Sequence, residues 1–154
     1  MKYKHFILLL AVIAILISSC KYDEGPLISI YSKDNRLTNT WIPDEATING
    51  GPGIIESNGA KYVGSSTIDP PYLKEVTMLD NGQALAIYQV NSGQDQACSG
   101  FFTFNGAKEG VSVQLDVDGE VVFMAWNITH LGKNKLKVNY VWASNLYEVT
   151  FRSR

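Results

Sequence analysis

The sequence predicts an all-β fold, an eight-stranded antiparallel up-and-down barrel. Apolar and polar residues alternate through most of the chain after residue 70, for example along residues 111–117. This period of two indicates strands with one dry face and one wet face. Turn-forming pairs such as Asn105-Gly106 and Asp118-Gly119 separate these segments, as antiparallel hairpins require. Closure into a barrel removes both edges of such a sheet, whereas a two-sheet sandwich is the alternative that the pattern leaves open.

Eight predicted strands follow one another along the chain, and no segment shows an amphipathic helical stripe with capping residues. They are residues 37–42, 72–79, 83–90, 99–104, 110–117, 120–131, 135–141 and 146–152. From the second strand onwards the connections are short, which predicts a meander in which neighbours in sequence are neighbours in the sheet.

One long connection, residues 43–71, departs from this pattern. It is rich in Gly, Pro, Ser and Asn and is long for a loop of a compact domain. Within it, Asn58-Gly59 predicts a small hairpin over residues 54–63. The segment is interpreted either as a lid over one barrel mouth or as a surface loop.

The N-terminus has the features of a secretory signal peptide. Lys2 and Lys4 precede an unbroken apolar run over residues 6–17, which ends at Ser18-Ser19. Twelve residues rise only about 18 Å as a helix, too little to span a bilayer. A basic start, a short apolar middle and small residues at the boundary are typical of a cleaved signal.

The residues at the end of this run resemble the lipobox of bacterial lipoproteins. Ile17, Ser18, Ser19 and Cys20 follow Leu16, and the resemblance implies that Cys20 receives a diacylglyceryl group and becomes the first residue of the mature chain. Two or three acyl chains hold a protein firmly to a membrane. The chain thus divides into a signal peptide (1–19), a lipidated cysteine and tether (20–34), and a barrel domain (35–154).

The tether suggests which membrane carries the protein. Lys21 follows the cysteine, so the inner-membrane retention signal of enterobacteria is absent, and Asp23-Glu24 resembles the surface-export signal of Bacteroidetes lipoproteins. We expect the outer membrane, with display at the cell surface as one possibility; a plain solvated tether is the other interpretation.

Composition argues against nucleic acid as a partner. Without residues 1–19 the chain has 11 basic and 15 acidic residues, so its formal charge is −4. An acidic domain with no basic run has no electrostatic footprint for nucleic acid. The expected partners are the membrane through Cys20, a small apolar ligand, or an envelope protein.

The sequence offers little for catalysis or metal binding. Cys98 is the second cysteine of the chain, and we interpret it as a small buried residue. His130 lacks spaced companions for zinc, and the acidic residues around Asp118-Gly119 do not follow a calcium-loop pattern. We therefore expect no enzymatic activity, no metal and no cofactor.

Two segments resemble the lipocalin-like lipoproteins of Bacteroidetes. They are "RLTNTW" at 36–41 and the final hairpins, which contain "WNITHLGKNKLKV" and "LYEVTF". The resemblance implies a lipocalin-like barrel with Trp41 as the signature tryptophan, although Asn39 replaces the usual glycine. It also implies that an arginine of the last strand, Arg152 or Arg154, packs over Trp41.

Strand alternation predicts which side chains point into the barrel. The inward set includes Val113, Leu115, Met124, Trp126, Val138, Tyr140, Val149 and Phe151, together with Phe102 and Phe104 or their neighbours. Within it, we expect Phe102, Met124, Trp126 and Tyr140 to contact a ligand if the barrel holds a cavity. The first functional hypothesis is a binding protein for a small apolar or amphipathic molecule. The second is a filled barrel that docks an envelope protein or a glycan through Tyr62, Tyr72, Trp142 and the 43–71 loop.

Overall fold

The computed structural model describes residues 32–69, 71–90, 93–117 and 119–154. Cys20 and the signal peptide therefore lie outside the described residues. The described part contains one short helix and eleven strands. In chain order these are α1 (Lys33–Leu37), β1 (Asn39–Ile48), β2 (Gly51–Pro52), β3 (Ile54–Ser57), β4 (Ala60–Val63), β5 (Tyr72–Met78), β6 (Gln83–Gln89), β7 (Asp95–Phe104), β8 (Gly110–Val117), β9 (Glu120–Leu131), β10 (Lys135–Trp142) and β11 (Asn145–Ser153).

The strand pairing closes the sheet into a barrel. Strands β5 to β11 each pair antiparallel with the next, and β1 pairs with both β11 and β5. At the point of closure, Trp41 lies opposite Ser153 on one side and Val76 on the other. The predicted eight-stranded up-and-down barrel is thus confirmed. Six of its eight strands match the predicted ones to within one residue at each end, and β7 begins four residues before its predicted start at residue 99.

The first strand differs from its prediction because a helix precedes it. Helix α1 begins after Ser32, whose side chain accepts a hydrogen bond from the Asn35 backbone N–H, and ends where the Thr38 N–H donates to the Asp34 carbonyl. At five residues, α1 is too short for a hydrophobic period to show in the sequence. Strand β1 begins at Asn39 and continues to Ile48, well beyond the predicted end at residue 42.

The long connection is largely ordered into strands. Strands β3 and β4 form the predicted hairpin, with Asn58 and Gly59 both at positive φ in its turn. Its base pairs with β5 through Val63, and the Lys61 ammonium donates to the Asp44 carbonyl of β1 at 2.8 Å. Because β1 and β5 pair over only three residues, the hairpin fills the wall where these two strands separate.

The interior of the barrel is an apolar core. Nearly all of the predicted inward set is buried, and Phe102 and Phe104 are half-buried against it. Glycine is needed at one inward position, because a Cβ on Gly100 would lie 1.8 Å from the carbonyl oxygen of Gln114. Strands β7 and β8 therefore approach each other more closely there than any side chain allows.

Candidate functional site

Helix α1 closes one end of the barrel. Leu37, the last residue of α1, is fully buried, and the Trp41 indole Nε1 donates to the Leu37 carbonyl at 2.8 Å. From the same helix, Arg36 Nη1 donates to the Leu131 carbonyl at the end of β9, at 2.7 Å. These contacts fix the helix across the barrel end where Trp41 lies.

The arginine packing implied by the family resemblance is not the arrangement found. Arg152 pairs with Ile42 and is exposed on the outer wall, whereas Trp41 points inwards. Arg154 is also on the outside and donates to Glu75 Oε2 at 3.1 Å. The alternation of side chains along β11 explains the difference, since Phe151 takes the inward position and its neighbour must face solvent.

The opposite end of the barrel contains an apolar cavity of about 40 Å³. Its lining comes from the β3–β4 hairpin, from the starts of β5, β9 and β11, and from the later parts of β6, β8 and β10. The residues are Val63, Pro71, Leu73, Ala86, Tyr88, Leu115, Val117, Val122, Met124, Tyr140, Trp142 and Tyr147. Pockets for drug-sized ligands usually measure about 300–1,000 Å³, so side chains fill most of this interior.

A stack of aromatic rings runs from the mouth of this cavity into the core. Trp142 contacts Tyr147 at 6.1 Å between ring centroids, and Tyr147 stacks on Tyr140 at 4.9 Å. Below them, Trp126 lies 5.9 Å from Tyr140 and 5.5 Å from Phe151. The stack gives one side of the cavity a flat aromatic surface.

Three of the four predicted ligand-contact residues come together here. Met124 and Tyr140 line the cavity, and Trp126 stacks directly beneath Tyr140. Phe102 lies apart, half-buried on β7. Trp142, which the sequence suggested for a docking surface, also lines the cavity: it ends β10 and contacts Tyr147.

Polar atoms in this stack lack hydrogen-bond partners within the described chain. Trp126 Nε1 is buried without a partner, and the hydroxyls of Tyr140 and Tyr147 form no hydrogen bond with described residues. A buried donor without an acceptor costs about 1–3 kcal/mol. Burial raises the pKa of both tyrosines, and the nearby Tyr147 adds to the rise at Tyr140. The cavity therefore disfavours charge.

A small polar cluster joins the hairpin to the barrel. The Tyr62 hydroxyl donates to Asp95 Oδ1 at 3.1 Å, and Lys74 forms an ion pair with the other oxygen of that carboxylate. Burial, and then Asp95, raises the pKa of Tyr62, while the hydrogen bond with Asp95 raises the pKa of Lys74. Tyr62 is thus buried, and the prediction that it forms an exposed surface anchor is wrong. Tyr72 is half-buried and donates to the Ile68 carbonyl at 2.7 Å.

The outer wall of β6 to β9 carries four large, exposed apolar side chains among polar ones. The exposed residues are Leu85, Phe101, Val121 and Phe123. The exposed fraction of the residue is 61% for Phe101 and 60% for Phe123. Three of them, Leu85, Phe101 and Val121, line a surface groove of about 310 Å³ in which Asp116 is the charged side chain among the described lining residues. We call these four residues the apolar wall.

The remaining candidates occupy structural positions. Cys98 and His130 are buried, and the Asp116 carboxylate accepts a hydrogen bond from the Gly119 N–H in the β8–β9 turn. Asp118 lies outside the described residues. No group of three His, Cys, Asp or Glu side chains able to hold a metal occurs in the described ranges. Nor does any helix there have the length and apolarity needed to cross a membrane.

No protein-family model matches this sequence, and no curated protein is similar to it. Solved structures are similar at low identity. A lipocalin-like protein from Bacteroides uniformis is 12% identical with a TM-score of 0.44, over 77% of this chain and 99% of the other. Bovine odorant binding protein, in complex with a selenium-containing odorant, is 12% identical with a TM-score of 0.48, over 82% and 76%. A protein from Bacteroides eggerthii is 12% identical with a TM-score of 0.41, over 77% and 99%. The barrel assignment made above rests on the strand pairing of this chain.

Proposed function

We propose that this protein binds a small apolar or amphipathic molecule at the end of the barrel opposite α1. The observation that carries the proposal is the apolar cavity beneath Trp142, Tyr140 and Tyr147. An apolar pocket with a few polar groups is the usual form of a small-molecule site. Met124, an adaptable side chain, lies in its wall.

At about 40 Å³ the cavity must enlarge to accept a ligand. Trp142 is the side chain placed to allow this, because it is half-buried at the mouth and contacts the stack through Tyr147. The adjacent turn holds Ala143 and Ser144 at φ 48° and 64°, a left-handed conformation that is unfavourable for residues other than glycine and asparagine. We expect Trp142 to swing outwards when a ligand enters.

The proposal places this barrel at the outer membrane as a lipoprotein without enzymatic activity. The support is the signal-like N-terminus and Cys20 in its lipobox-like setting. Replacement of Cys20 by Ser tests the anchor: the variant is expected to leave the membrane fraction and to lose the mass of the acyl chains. A variant that stays in the membrane fraction with unchanged mass would contradict lipidation at this residue.

Native mass spectrometry of residues 21–154, run beside an organic extract of the purified protein, tests ligand binding. A co-purifying mass that leaves on denaturation is expected, and it would identify the ligand class. The matched control is Met124→Trp, which is expected to fill the cavity and reduce the co-purifying mass. A clean apo mass, together with no response of tryptophan fluorescence to added fatty acids, haem or bile acids or to the uncharged methyl esters of these acids, would contradict the proposal.

A second candidate function is supported by the apolar wall. Exposed patches of this kind mark interaction surfaces, and the candidate occupant is another protein of the envelope. A photo-crosslinking residue at Phe101 tests it in cells, with Glu148 on the opposite wall as the matched control. A crosslinked partner that appears at Phe101, is absent at Glu148 and is lost with Phe123→Ser is expected. Equal crosslinking at both positions would contradict a specific docking surface.

A further inference from the structure

Unpartnered polar atoms in the aromatic stack restrict what a ligand must offer. Tyr140 lines the cavity, and Trp126 lies beneath it, one layer outside the lining. Trp126 Nε1 is buried without an acceptor, whereas the indole of Trp41 donates to the Leu37 carbonyl at 2.8 Å. The Trp126 indole N–H therefore lacks the kind of acceptor that the Trp41 indole N–H has. An indole N–H can only donate, so a ligand that satisfies Trp126 must bring an acceptor.

The tyrosine hydroxyls extend this requirement. Tyr140 and Tyr147 line the cavity with parallel rings, and neither hydroxyl has a partner among the described residues. Since a phenol donates or accepts, these hydroxyls suit a ligand oxygen of either kind. The hydrogen-bond donors nearest the core are thus the Tyr140 hydroxyl, in the cavity lining, and the Trp126 indole N–H, stacked beneath it.

The same lining disfavours a charged ligand. None of the described residues that line the cavity is charged, and the nearby cation Lys74 is paired with Asp95. An ionised group taken out of water without a counter-charge is strongly unfavourable. Burial already raises the pKa of the Tyr140 phenol, which shows that the environment opposes an anion there.

We infer that the ligand is an uncharged molecule with an apolar body and at least one hydrogen-bond acceptor, such as a carbonyl, ether or hydroxyl oxygen, held by Tyr140 in the cavity lining and, once the cavity enlarges, by Trp126 in the layer beneath it. This inference rests on the proposed ligand-binding function. It excludes free carboxylates and pure hydrocarbons as preferred ligands.

Three probes of similar size separate the possibilities: acetophenone has a neutral acceptor, ethylbenzene has none, and benzoate carries a charge. The readout is the indole N–H region of the ¹H–¹⁵N NMR spectrum of residues 21–154, which contains signals from Trp41, Trp126 and Trp142. Acetophenone is expected to bind about tenfold more tightly than ethylbenzene, as one added hydrogen bond implies. It is also expected to move the Trp126 signal downfield and to leave that of Trp41 in place.

Variants assign this preference to the two residues. Trp126→Phe and Tyr140→Phe are each expected to reduce the ratio of acetophenone affinity to ethylbenzene affinity. Tyr72→Phe is the matched control, because its hydroxyl bonds to the Ile68 carbonyl outside the cavity, and it is expected to keep the preference.

The other outcomes separate the inference from the proposed function. Equal affinity for ethylbenzene and acetophenone, with no movement of the Trp126 signal, overturns the inference while ligand binding stands. Tighter binding of benzoate overturns it as well. Failure of all three probes to perturb any cavity residue overturns the proposed function and the inference with it.

Discussion

Tyr140 and Tyr147 lie directly opposite each other on β10 and β11, with ring centroids 4.9 Å apart and ring planes within 2° of parallel. Both hydroxyls lack a partner among the described residues, so their removal sacrifices no protein hydrogen bond. We expect Tyr140→Phe to change the free energy of unfolding by less than about 0.5 kcal/mol, or to increase it. Tyr62→Phe, which loses the bond to Asp95, should cost about 1 kcal/mol. Urea unfolding of both variants checks the difference, and an equal loss in both would contradict it.

Trp41 and Arg152 should differ sharply in their importance for stability. Trp41→Phe removes the hydrogen bond to the Leu37 carbonyl and leaves a void beneath α1, so we expect a loss of about 2–3 kcal/mol. Arg152→Ala changes an exposed side chain on the outer wall and should stay within about 0.5 kcal/mol. Chemical denaturation of the two variants measures this. A large loss in Arg152→Ala would support the arginine-over-tryptophan packing after all.

Gly100 should tolerate no side chain. A Cβ there would meet the Gln114 carbonyl oxygen at 1.8 Å, so Gly100→Ala must push β7 and β8 apart. We expect a loss of at least about 2 kcal/mol. Gly106→Ala is the matched control, because nothing lies within 4 Å of its Cβ position. Thermal unfolding of the pair is the measurement, and similar melting temperatures would show that the two strands are farther apart.

The β10–β11 turn should be open to stabilisation. Ser144 adopts φ 64°, and glycine is favoured at this conformation. Ser144→Gly is expected to raise the free energy of unfolding by about 1 kcal/mol. Ser99→Gly, in the regular strand β7, should instead lower it. Urea titration compares the two, and a destabilised Ser144→Gly variant would argue against a strained turn next to Trp142.

Alkaline pH should weaken the fold. Burial raises the pKa of Tyr62, Tyr140 and Tyr147 above the ordinary 10.0, and the hydrogen bond with Asp95 raises that of Lys74 above 10.5. Above pH 10 the unfolded chain loses these protons first, so the folded state holds more protons and stability falls as pH rises. Below pH 10 this contribution is complete. Urea unfolding between pH 8 and pH 11 should show the decline, with a smaller slope in Tyr140→Phe; an unchanged slope would contradict burial of that phenol.

The strands were predictable because a period of two is visible in the sequence wherever one face of a strand is dry. Helix α1 was not, because five residues span too little of a helical period. The extension of β1 was hidden by Pro43, which usually interrupts a strand. In the structure a register shift follows Pro43 directly, at an irregularity that tolerates proline.

The candidate site was predictable only in part. Alternation placed Met124 and Tyr140 inside, and both line the cavity. The position of Trp142 depends on where β10 ends, which is the least certain part of a prediction from pattern. The missing partner of Trp126 Nε1 depends on three-dimensional packing, which leaves no trace in the sequence.

The most direct test of ligand binding uses the two methionines of residues 21–154 as reporters. Met124 lines the cavity, whereas Met78 is buried at the closed end of the barrel opposite Asn39. Methyl-¹³C NMR of the protein, titrated with an organic extract of the native membranes, reads both sites in one spectrum. A ligand in the proposed site should shift the Met124 methyl signal saturably and leave that of Met78 unchanged. No shift at Met124, or equal shifts at both, would contradict a binding site at the open end of the barrel.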